Sequence, residues 1–358
     1  MKKVLATILA LVMALSVTTM AWADDVAKIG NTGYATLKEA IEHVANGETI
    51  VLTANVNNGD GIVVASGKNF TLDFAGHTYT ITQNVVGSTG TVSQCFQLLK
   101  DSTITMKDGT IVANCAGAKM IIQNYCNLTL DNMKLDATVG TNNVEYVVSN
   151  NCGNVVIKNG TTITAKTTGV AFDVYGGFGD YGDVSVTLEA GATVNGKVEV
   201  ARSSGNQNKN TLTVTGGTVN GDLAVTPSEK TEVAVTGGTF SSDVSNFVDS
   251  APVASNNGTY YVGEETIQNA ANNLSAGQQL KIEKGAVTIN GAEYRAGGNA
   301  TYTKPSSTGY YYYQPTTDTK TTDTKGSPKT FDAGIALYVG MALTSAAGVA
   351  FVGKKRED

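Results

Sequence analysis

Short runs of alternating apolar and polar residues recur along most of this 358-residue chain. A typical run is Ile104-Thr105-Met106, which leads at once into a turn that contains aspartate and glycine. Alternation with a period of two is typical of β-strands that bury one face. The last apolar residue before each turn recurs every 20 to 34 residues, at Leu52, Leu72, Met106, Leu130, Ile157, Leu188, Val214 and Val235.

A repeat of this length predicts a solenoid, because a single coil cannot bury its apolar face alone. Parallel stacking would place the recurring apolar residues in one internal column, and the uneven intervals fit turns of different lengths. The alternative is an antiparallel β-sandwich, whose strands are usually joined by hairpin turns of about two residues. We therefore predict an all-β fold, a right-handed parallel β-helix solenoid over residues 24–250.

A short helix is predicted near residues 36–46, just before the first coil. Thr36 and Glu39 have the spacing of a capping box. The apolar face of this helix consists of Leu37, Ile41 and Val44. Such a helix would cover the open apolar end of the solenoid. After residue 250 the repeat pattern changes, and residues 251–303 are predicted to form a small β-rich module or cap.

The first 23 residues have the pattern of an export signal. Two lysines precede an apolar run from Val4 to Met20, and Ala21 and Ala23 are the small residues of a cleavage site before Asp24. The run is shorter than the roughly 20 residues of a membrane-spanning helix. Residues 1–23 are therefore predicted to be a signal peptide.

The other end of the chain contains three consecutive segments. Residues 304–326 are polar and are predicted to be an extended linker. A short motif follows, made of Ser327, Pro328, Lys329, Thr330 and Phe331. Residues 333–353 are uncharged and long enough to cross a bilayer as a helix. Lys354, Lys355 and Arg356 would then stop transfer on the cytoplasmic side.

The order of motif, apolar span and basic tail over residues 327–358 resembles the wall-sorting signal of Gram-positive surface proteins. In that family a sortase cysteine attacks the threonine carbonyl of a Leu-Pro-x-Thr-Gly-like pentapeptide and passes the acyl group to a peptidoglycan amine. The resemblance implies attachment through Thr330, with sortase and peptidoglycan as partners. Phe331 stands where the family has glycine, and an uncleaved transmembrane anchor through 333–353 is the alternative.

The repeat region is similar to pectin-lyase-like domains. Residues 34–52 resemble the start of such domains, and Leu72-Asp73-Phe74-Ala75-Gly76-His77-Thr78 resembles their Leu-Asp-Leu-Asn-Gly-His-Thr coil. This resemblance covers about residues 26–250 and implies a fold rather than an activity. The catalytic motifs of the polygalacturonase-like and pectate-lyase-like enzymes are missing, and Arg202 is the only arginine in the coils. We therefore predict no catalytic residues.

The net charge bears on which partners the protein can bind, and the cysteine content bears on whether it contains disulfides. Residues 24–330 contain 20 Lys and Arg against 28 Asp and Glu, a net charge of −8, which disfavours nucleic acid as a partner.

The four cysteines are Cys95, Cys115, Cys126 and Cys152. An even number permits disulfides in an exported protein, but so few also fit buried thiols. We favour free thiols, and the spacing matches no zinc site.

One segment combines carboxylates with aromatic side chains, and it lies in the longest of the later repeats. Its residues are Asp173, Tyr175, Phe178, Asp180, Tyr181 and Asp183. Carboxylates can ligate calcium, and aromatic rings can pack on sugars. The alternative is a glycine-rich turn whose rings fold back on the coil. The spacing matches no EF-hand, and no other cofactor is expected.

These patterns predict a protein attached to the wall at the cell surface. We expect a non-catalytic adhesin or scaffold that contacts glycans, host matrix proteins or neighbouring cells. Two alternatives stay open. One is a carbohydrate-active enzyme, a polysaccharide lyase or hydrolase with a divergent site. The other is a purely structural cell-wall protein.

Overall fold

The computed structural model describes residues 25–177 and 179–306. The described chain begins with the hairpin β1 (Ala27–Ile29) and β2 (Thr32–Tyr34), followed by helix α1 (Leu37–His43). From there to residue 240 the backbone runs repeatedly through three columns of parallel strands, so that each full coil contributes one strand to each column.

The first column contains β3 (Thr49–Leu52), β6 (Asn69–Asp73), the first half of β9 (Thr103–Ala113), the first half of β11 (Asn127–Asp136), β13 (Gly153–Ile157), β16 (Val184–Leu188), β19 (Asn210–Val214) and β22 (Thr231–Val235). The second contains β4 (Val56–Asp60), β7 (Thr78–Gln83), the second halves of β9 and β11, β14 (Thr162–Thr164), β17 (Thr193–Asn195), β20 (Thr218–Asn220) and β23 (Gly238–Phe240). The third contains β5 (Ile62–Val64), β8 (Gln94–Leu98), β10 (Met120–Asn124), β12 (Tyr146–Asn150), β15 (Val170–Gly176), β18 (Lys197–Arg202) and β21 (Leu223–Val225).

The parallel pairing makes this region a solenoid of stacked coils. The antiparallel sandwich is therefore wrong for these residues, whose column strands pair in parallel with their neighbours. Inward-facing residues from the three columns fill one continuous apolar core. Bulky members such as Phe96, Leu130 and Phe172 have no exposed surface. Parallel strands buried in this way depend on the coils above and below them.

The predicted register of the first column is confirmed over six consecutive steps. The anchors from Leu72 to Val235 are Cα partners of one another on successive coils. The first step is wrong by two residues, because Leu72 pairs with Ile50 and not with Leu52. Both Ile50 and Leu52 are buried. A shift of two residues keeps the same face inward, so alternation could not distinguish them.

The corner between the first and second columns explains the turn residues of the repeat. Asp108 and Asn132 have φ values of 56° and 53°, and Gly160 and Gly191 have φ values of 79° and 80°. This left-handed region favours glycine, asparagine and aspartate. The Asn132 side-chain amide also donates a 2.9 Å hydrogen bond to Asp108 Oδ1 on the preceding coil. The turns are therefore stacked as regularly as the strands.

The predicted N-terminal helix is present but shorter than residues 36–46. Thr36 caps it, because its hydroxyl accepts a 3.1 Å hydrogen bond from the Glu39 N–H. Its buried residues, Leu37, Ala40 and Ile41, belong to the main core. The helix therefore packs on the same core as the coils.

The last coil is followed by a one-turn 3-10 helix (Ser245–Phe247) and an antiparallel unit. That unit consists of β24 (Val253–Asn256), β25 (Thr259–Val262), α2 (Glu264–Asn273), β26 (Gln279–Lys284), β27 (Ala286–Ile289), β28 (Ala292–Arg295) and β29 (Thr301–Thr303). It has its own small apolar core, which includes Ile267, Leu280 and Tyr302. Strand β25 pairs with β23, so the unit continues the sheet beyond the last coil.

The two ends of the described chain share one topology that sequence analysis did not identify. Each contains a hairpin, a helix and a third strand that pairs antiparallel with the first strand of the hairpin. At the N-terminal end these elements are β1, β2, α1 and β3. At the C-terminal end they are β24, β25, α2 and β26.

Within residues 25–177 and 179–306, no helix has the length and hydropathy needed to cross a bilayer. The predicted signal peptide, most of the predicted linker and the whole predicted sorting signal lie outside the described residues. Export and wall anchoring therefore stay predictions from the sequence.

Replacing Leu130 by alanine is expected to lower the free energy of unfolding by about 2–5 kcal/mol, because truncation leaves a cavity in the core between Met106 and Ile157. Urea denaturation followed by circular dichroism measures the change. Thr129→Ala, on the outer face of the same strand, is the control and should change the stability by less than about 0.5 kcal/mol. Equal losses in the two variants would contradict the inward placement of Leu130.

Candidate functional site

The predicted acidic and aromatic segment is divided between a strand and a turn. Asp173 and Tyr175 lie in β15, whereas Asp180, Tyr181 and Asp183 lie in the turn that follows it. Phe178 lies outside the described residues. The six predicted residues therefore do not form one loop, and Asp173 belongs to the stacked part of the solenoid.

The Asp173 carboxyl group is buried although it points away from the main core. The residue is only 6% exposed. The Ser149 hydroxyl donates a 3.2 Å hydrogen bond to Asp173 Oδ2, and the Asn150 N–H donates a 2.6 Å hydrogen bond to Oδ1. Both donors come from the preceding coil, where Ser149 is the Cα partner of Asp173. Adjacent coils thus build the site together.

Burial raises the pKa of Asp173 to about 7, because desolvation penalises its charged form. The negative charge of Glu199 on the next coil raises the pKa further. The hydrogen bonds from Asn150 and Ser149 act in the opposite direction but do not outweigh burial. Asp173 is therefore a carboxyl group that holds its proton close to neutral pH.

Asp173 is one member of a row that we call the polar ladder. Its members are Cα partners on successive strands of the third column: Gln97, Gln123, Ser149, Asp173 and Glu199. They alternate with fully buried core residues such as Phe96 and Phe172, so they face outward. Gln97 donates a 3.2 Å hydrogen bond from Nε2 to Gln123 Oε1. The ladder therefore places amide, hydroxyl and carboxyl groups at one position of five coils. Its first four members are buried, and Glu199 is partly exposed.

Tyrosines border the polar ladder on both sides. The rings of Tyr125 and Tyr181 have centroids 4.8 Å apart at an interplanar angle of 36°, and Lys100 Nζ lies 5.7 Å from the Tyr181 centroid. Burial raises the pKa of Tyr125 to about 12, with smaller contributions from Tyr181 and Asp173. Tyr146, on the other side, has a pKa raised by burial and by the neighbouring negative charge of Glu199. Aromatic rings and polar groups thus occur side by side.

Asp173 and Glu199 form a pair of carboxyl groups with different environments. They are Cα partners on adjacent strands, where strand spacing is roughly 4.8 Å. Glu199 is 26% exposed at its side chain and forms a 2.6 Å ion pair with Lys197. Two neighbouring carboxyl groups in different environments can serve as a proton donor and a carboxylate. They can equally bind the hydroxyl groups of a ligand.

The described residues contain no group of three or more His, Cys, Asp or Glu side chains that could hold a metal ion. Of the three predicted carboxylates, Asp183 accepts a 2.7 Å hydrogen bond from the Lys209 N–H and so ties its turn to the next coil. Asp180 is exposed. Calcium binding by this segment therefore stays a prediction.

A second polar region lies on the C-terminal unit. A depression of about 440 Å³ between α2 and the β24–β25 hairpin is lined by Asn256, Tyr261, Asn269 and Gln278, among others. Asn269 and Gln278 are exposed. The polar ladder is better shielded from water, and it contains a buried titratable group, so we take the ladder as the candidate site.

Four members of the ladder were missed by sequence analysis: Gln97, Gln123, Ser149 and Glu199. Their signal was their spacing, because successive members are 24 or 26 residues apart. The residues predicted for signal cleavage (Ala21, Ala23, Asp24), sorting (327–331) and stop-transfer (354–356) lie outside the described residues.

Comparison with known proteins found no matching family model, no matching curated protein and no matching solved structure. The functional interpretation of the ladder therefore depends on its own chemistry.

The stability of the protein is expected to depend on pH through Asp173. Because the pKa of Asp173 rises from an ordinary 3.8 to about 7 on folding, the folded state binds a proton that the unfolded state releases. The contribution of Asp173 to the free energy of unfolding should fall between about pH 4 and pH 7, by roughly 4 kcal/mol, and then level off.

Urea denaturation across this pH range tests the effect. Asp173→Asn should remove this part of the slope, because an amide does not titrate. Asp180→Asn is the control, since it changes an exposed carboxyl group in the neighbouring turn, and it should leave the slope in place. An unchanged slope in Asp173→Asn would show that another group is responsible.

Proposed function

We propose that this chain is a non-catalytic protein of the bacterial cell surface that binds glycans along the polar ladder, as an adhesin or scaffold. The observation that carries the proposal is the row of amide, hydroxyl and carboxyl groups bordered by tyrosines. Such groups exchange hydrogen bonds with sugar hydroxyls, while aromatic rings cover the apolar faces of sugars.

The length of the ladder favours an extended ligand. Five adjacent strands with a spacing of roughly 4.8 Å place its ends roughly 19 Å apart. The ladder is also rigid, because its members are held by the backbone hydrogen bonds of the parallel column. A rigid row of this kind suits a glycan chain that lies across the coils.

The cell-surface part of the proposal is supported by the two ends of the sequence. We propose that a sortase cleaves after Thr330 and joins it to peptidoglycan, and that residues 333–353 hold the chain in the membrane before processing. We further propose that the solenoid is a right-handed β-helix of the pectin-lyase-like type. The Leu72–Thr78 coil and the three parallel columns support that assignment.

The Asp173 and Glu199 pair favours a second candidate function, a polysaccharide hydrolase or lyase. In such an enzyme Asp173 would serve as the general acid and Glu199 as the base or nucleophile. Ser149 and Asn150 already donate hydrogen bonds to the two carboxyl oxygen atoms of Asp173, which disfavours proton transfer from this group to a substrate. A purely structural wall protein is the third candidate.

Glycan binding is expected to depend on the Tyr181 ring. In a screen of immobilised polysaccharides, the full chain should bind at least one glycan saturably. Tyr181→Ala should then weaken binding at least tenfold, which corresponds to about 1.4 kcal/mol. Tyr181→Phe, which keeps the ring, is the matched control and should retain most of the affinity.

Two other outcomes would replace this proposal. Release of shorter sugars from the bound polysaccharide, abolished by Glu199→Gln, would establish the enzyme instead. The absence of saturable binding to glycans and matrix proteins would favour the purely structural role.

Wall attachment is expected to end the processed chain at Thr330. Intact mass of the protein released from cell walls by a muramidase should correspond to residues 24–330 plus a peptidoglycan fragment. Thr330→Ala should abolish this product, because its carbonyl is the proposed acylation site. A mass that retains residues 331–358 would identify an uncleaved membrane anchor.

A further inference from the structure

The two terminal units of the described chain correspond residue by residue as well as in topology. In the N-terminal unit, Glu48 Oε2 accepts a 2.8 Å hydrogen bond from the Ala45 N–H just after α1. In the C-terminal unit, Gln278 Oε1 accepts a 2.9 Å hydrogen bond from the Ser275 N–H just after α2. Both residues of the second pair lie 230 positions after those of the first, so the two helices can be compared position by position.

Equivalent positions of the two units differ in charge. Three ionisable side chains of the N-terminal unit are replaced by amides in the C-terminal unit: Glu39, His43 and Glu48 correspond to Asn269, Asn273 and Gln278. All six residues are exposed. The exchange removes charge from this surface of the C-terminal unit but keeps its capacity for hydrogen bonds, because an amide both donates and accepts them.

A tyrosine lies at the same place in both units. Tyr34 pairs with Ala27 in the first hairpin, and Tyr261 pairs with Ala254 in the second. Each alanine also pairs with the third strand of its unit, at positions 52 and 282. These two positions again differ by 230, so Tyr34 and Tyr261 are equivalent residues.

The two tyrosine rings have different neighbours. In the N-terminal unit the His43 ring lies against Tyr34, with the ring centroids 5.5 Å apart. In the C-terminal unit Asn273 takes the position of His43, and among the described residues no aromatic ring lies in this way against Tyr261. Tyr261 is partly exposed and lines the depression between α2 and the β24–β25 hairpin. The shorter asparagine thus leaves this ring accessible from the depression.

The depression has the size and the chemistry of a site for a small polar ligand. Its volume of about 440 Å³ lies within the roughly 300–1,000 Å³ of ligand pockets. None of the described side chains that line it is charged. Asn256 Nδ2 donates a 2.7 Å hydrogen bond to the Gln279 carbonyl, and Gln278 Oε1 is engaged by the Ser275 N–H. Two of the lining amides are therefore held in place by the protein itself.

We propose that this depression is a second glycan-binding site, which takes an uncharged sugar with one face on the Tyr261 ring and its hydroxyl groups on the surrounding amides. Sugar hydroxyl groups donate and accept hydrogen bonds, as do the amides of Asn269, Asn273 and Gln278. The tyrosine ring offers a flat apolar surface, which suits the C–H face of a sugar. A uronic acid would find no cation, and an amino sugar no carboxylate, among the described lining residues. The site is separate from the polar ladder and does not depend on it.

The test uses the full chain with Tyr181→Ala, so that the ring proposed for the ladder is absent. The protein is run in native gels that contain a soluble neutral polysaccharide, namely dextran, mannan or galactan. At least one of these polymers should retard the protein saturably. Asn273→His introduces the side chain that lies against the tyrosine in the N-terminal unit, and it should weaken this binding at least tenfold.

Matched variants check the assignment. Asn272→His is the control, because Asn272 is exposed on the same helix but does not line the depression, and it should leave the binding unchanged. Tyr261→Ala should abolish the retardation, whereas Tyr34→Ala, at the equivalent position of the N-terminal unit, should not. The exposed position of Asn273 keeps the test decisive even if Tyr261→Ala fails to fold.

Three results would each overturn the proposal. They are no retardation by any of the three neutral polymers, equal binding in Asn273→His and Asn272→His, and tighter binding of the charged polymer polygalacturonate than of the neutral ones. Failure of the ladder would be recognised separately, because Tyr181→Ala alone would then leave the binding of the unmodified chain unchanged.

Discussion

The structure depends on one constraint, the in-register parallel pairing that places equivalent residues of successive coils directly above one another. Each coil contributes only a few inward side chains, and these are buried by the coils on either side. The constraint is cooperative, because no coil has a complete core of its own. It also explains why both ends need a covering element, and why α1 packs on the same core as the coils.

The same register that builds the core also builds the candidate site. Alternate residues of the third column face outward. Because the strands pair in register, polar residues at equivalent positions of successive coils are aligned in a row. Asp173 can be buried there because Ser149 and Asn150 on the preceding coil satisfy its oxygen atoms. Ser149 is 24 positions before Asp173 in the sequence, yet the two lie side by side on adjacent strands, as cross-strand neighbours in a hairpin do. Loss of register at one coil would therefore affect both the core and the site.

Much of the fold could be predicted from the sequence, because the first column has short, regular strands. The anchors from Leu72 to Val235 and the cap at Thr36 are local patterns, and the structure has them where they were expected. The first anchor failed because Ile50 and Leu52 are equally apolar and face the same way. The polar ladder was not found because its members differ in residue type (Gln, Ser, Asp and Glu), although they recur every 24 or 26 residues. Asp173 was assigned to a loop because glycine-rich residues follow it closely, although its strand extends to Gly176.

The hairpin–helix–strand unit that begins the solenoid and recurs after its last coil has a consequence for how such a protein can change in length. In the N-terminal copy, the third strand, β3, is also the first strand of the first column and pairs with β6. In the C-terminal copy, β25 pairs with β23, the last strand of the second column. Neither junction involves the coils between them. Whole coils can therefore be inserted or deleted in the middle while both terminal packings stay unaltered, each step changing the distance between the ends by roughly 4.8 Å. Duplication of single coils would thus lengthen the outward-facing rows, and any surface they form, in equal increments.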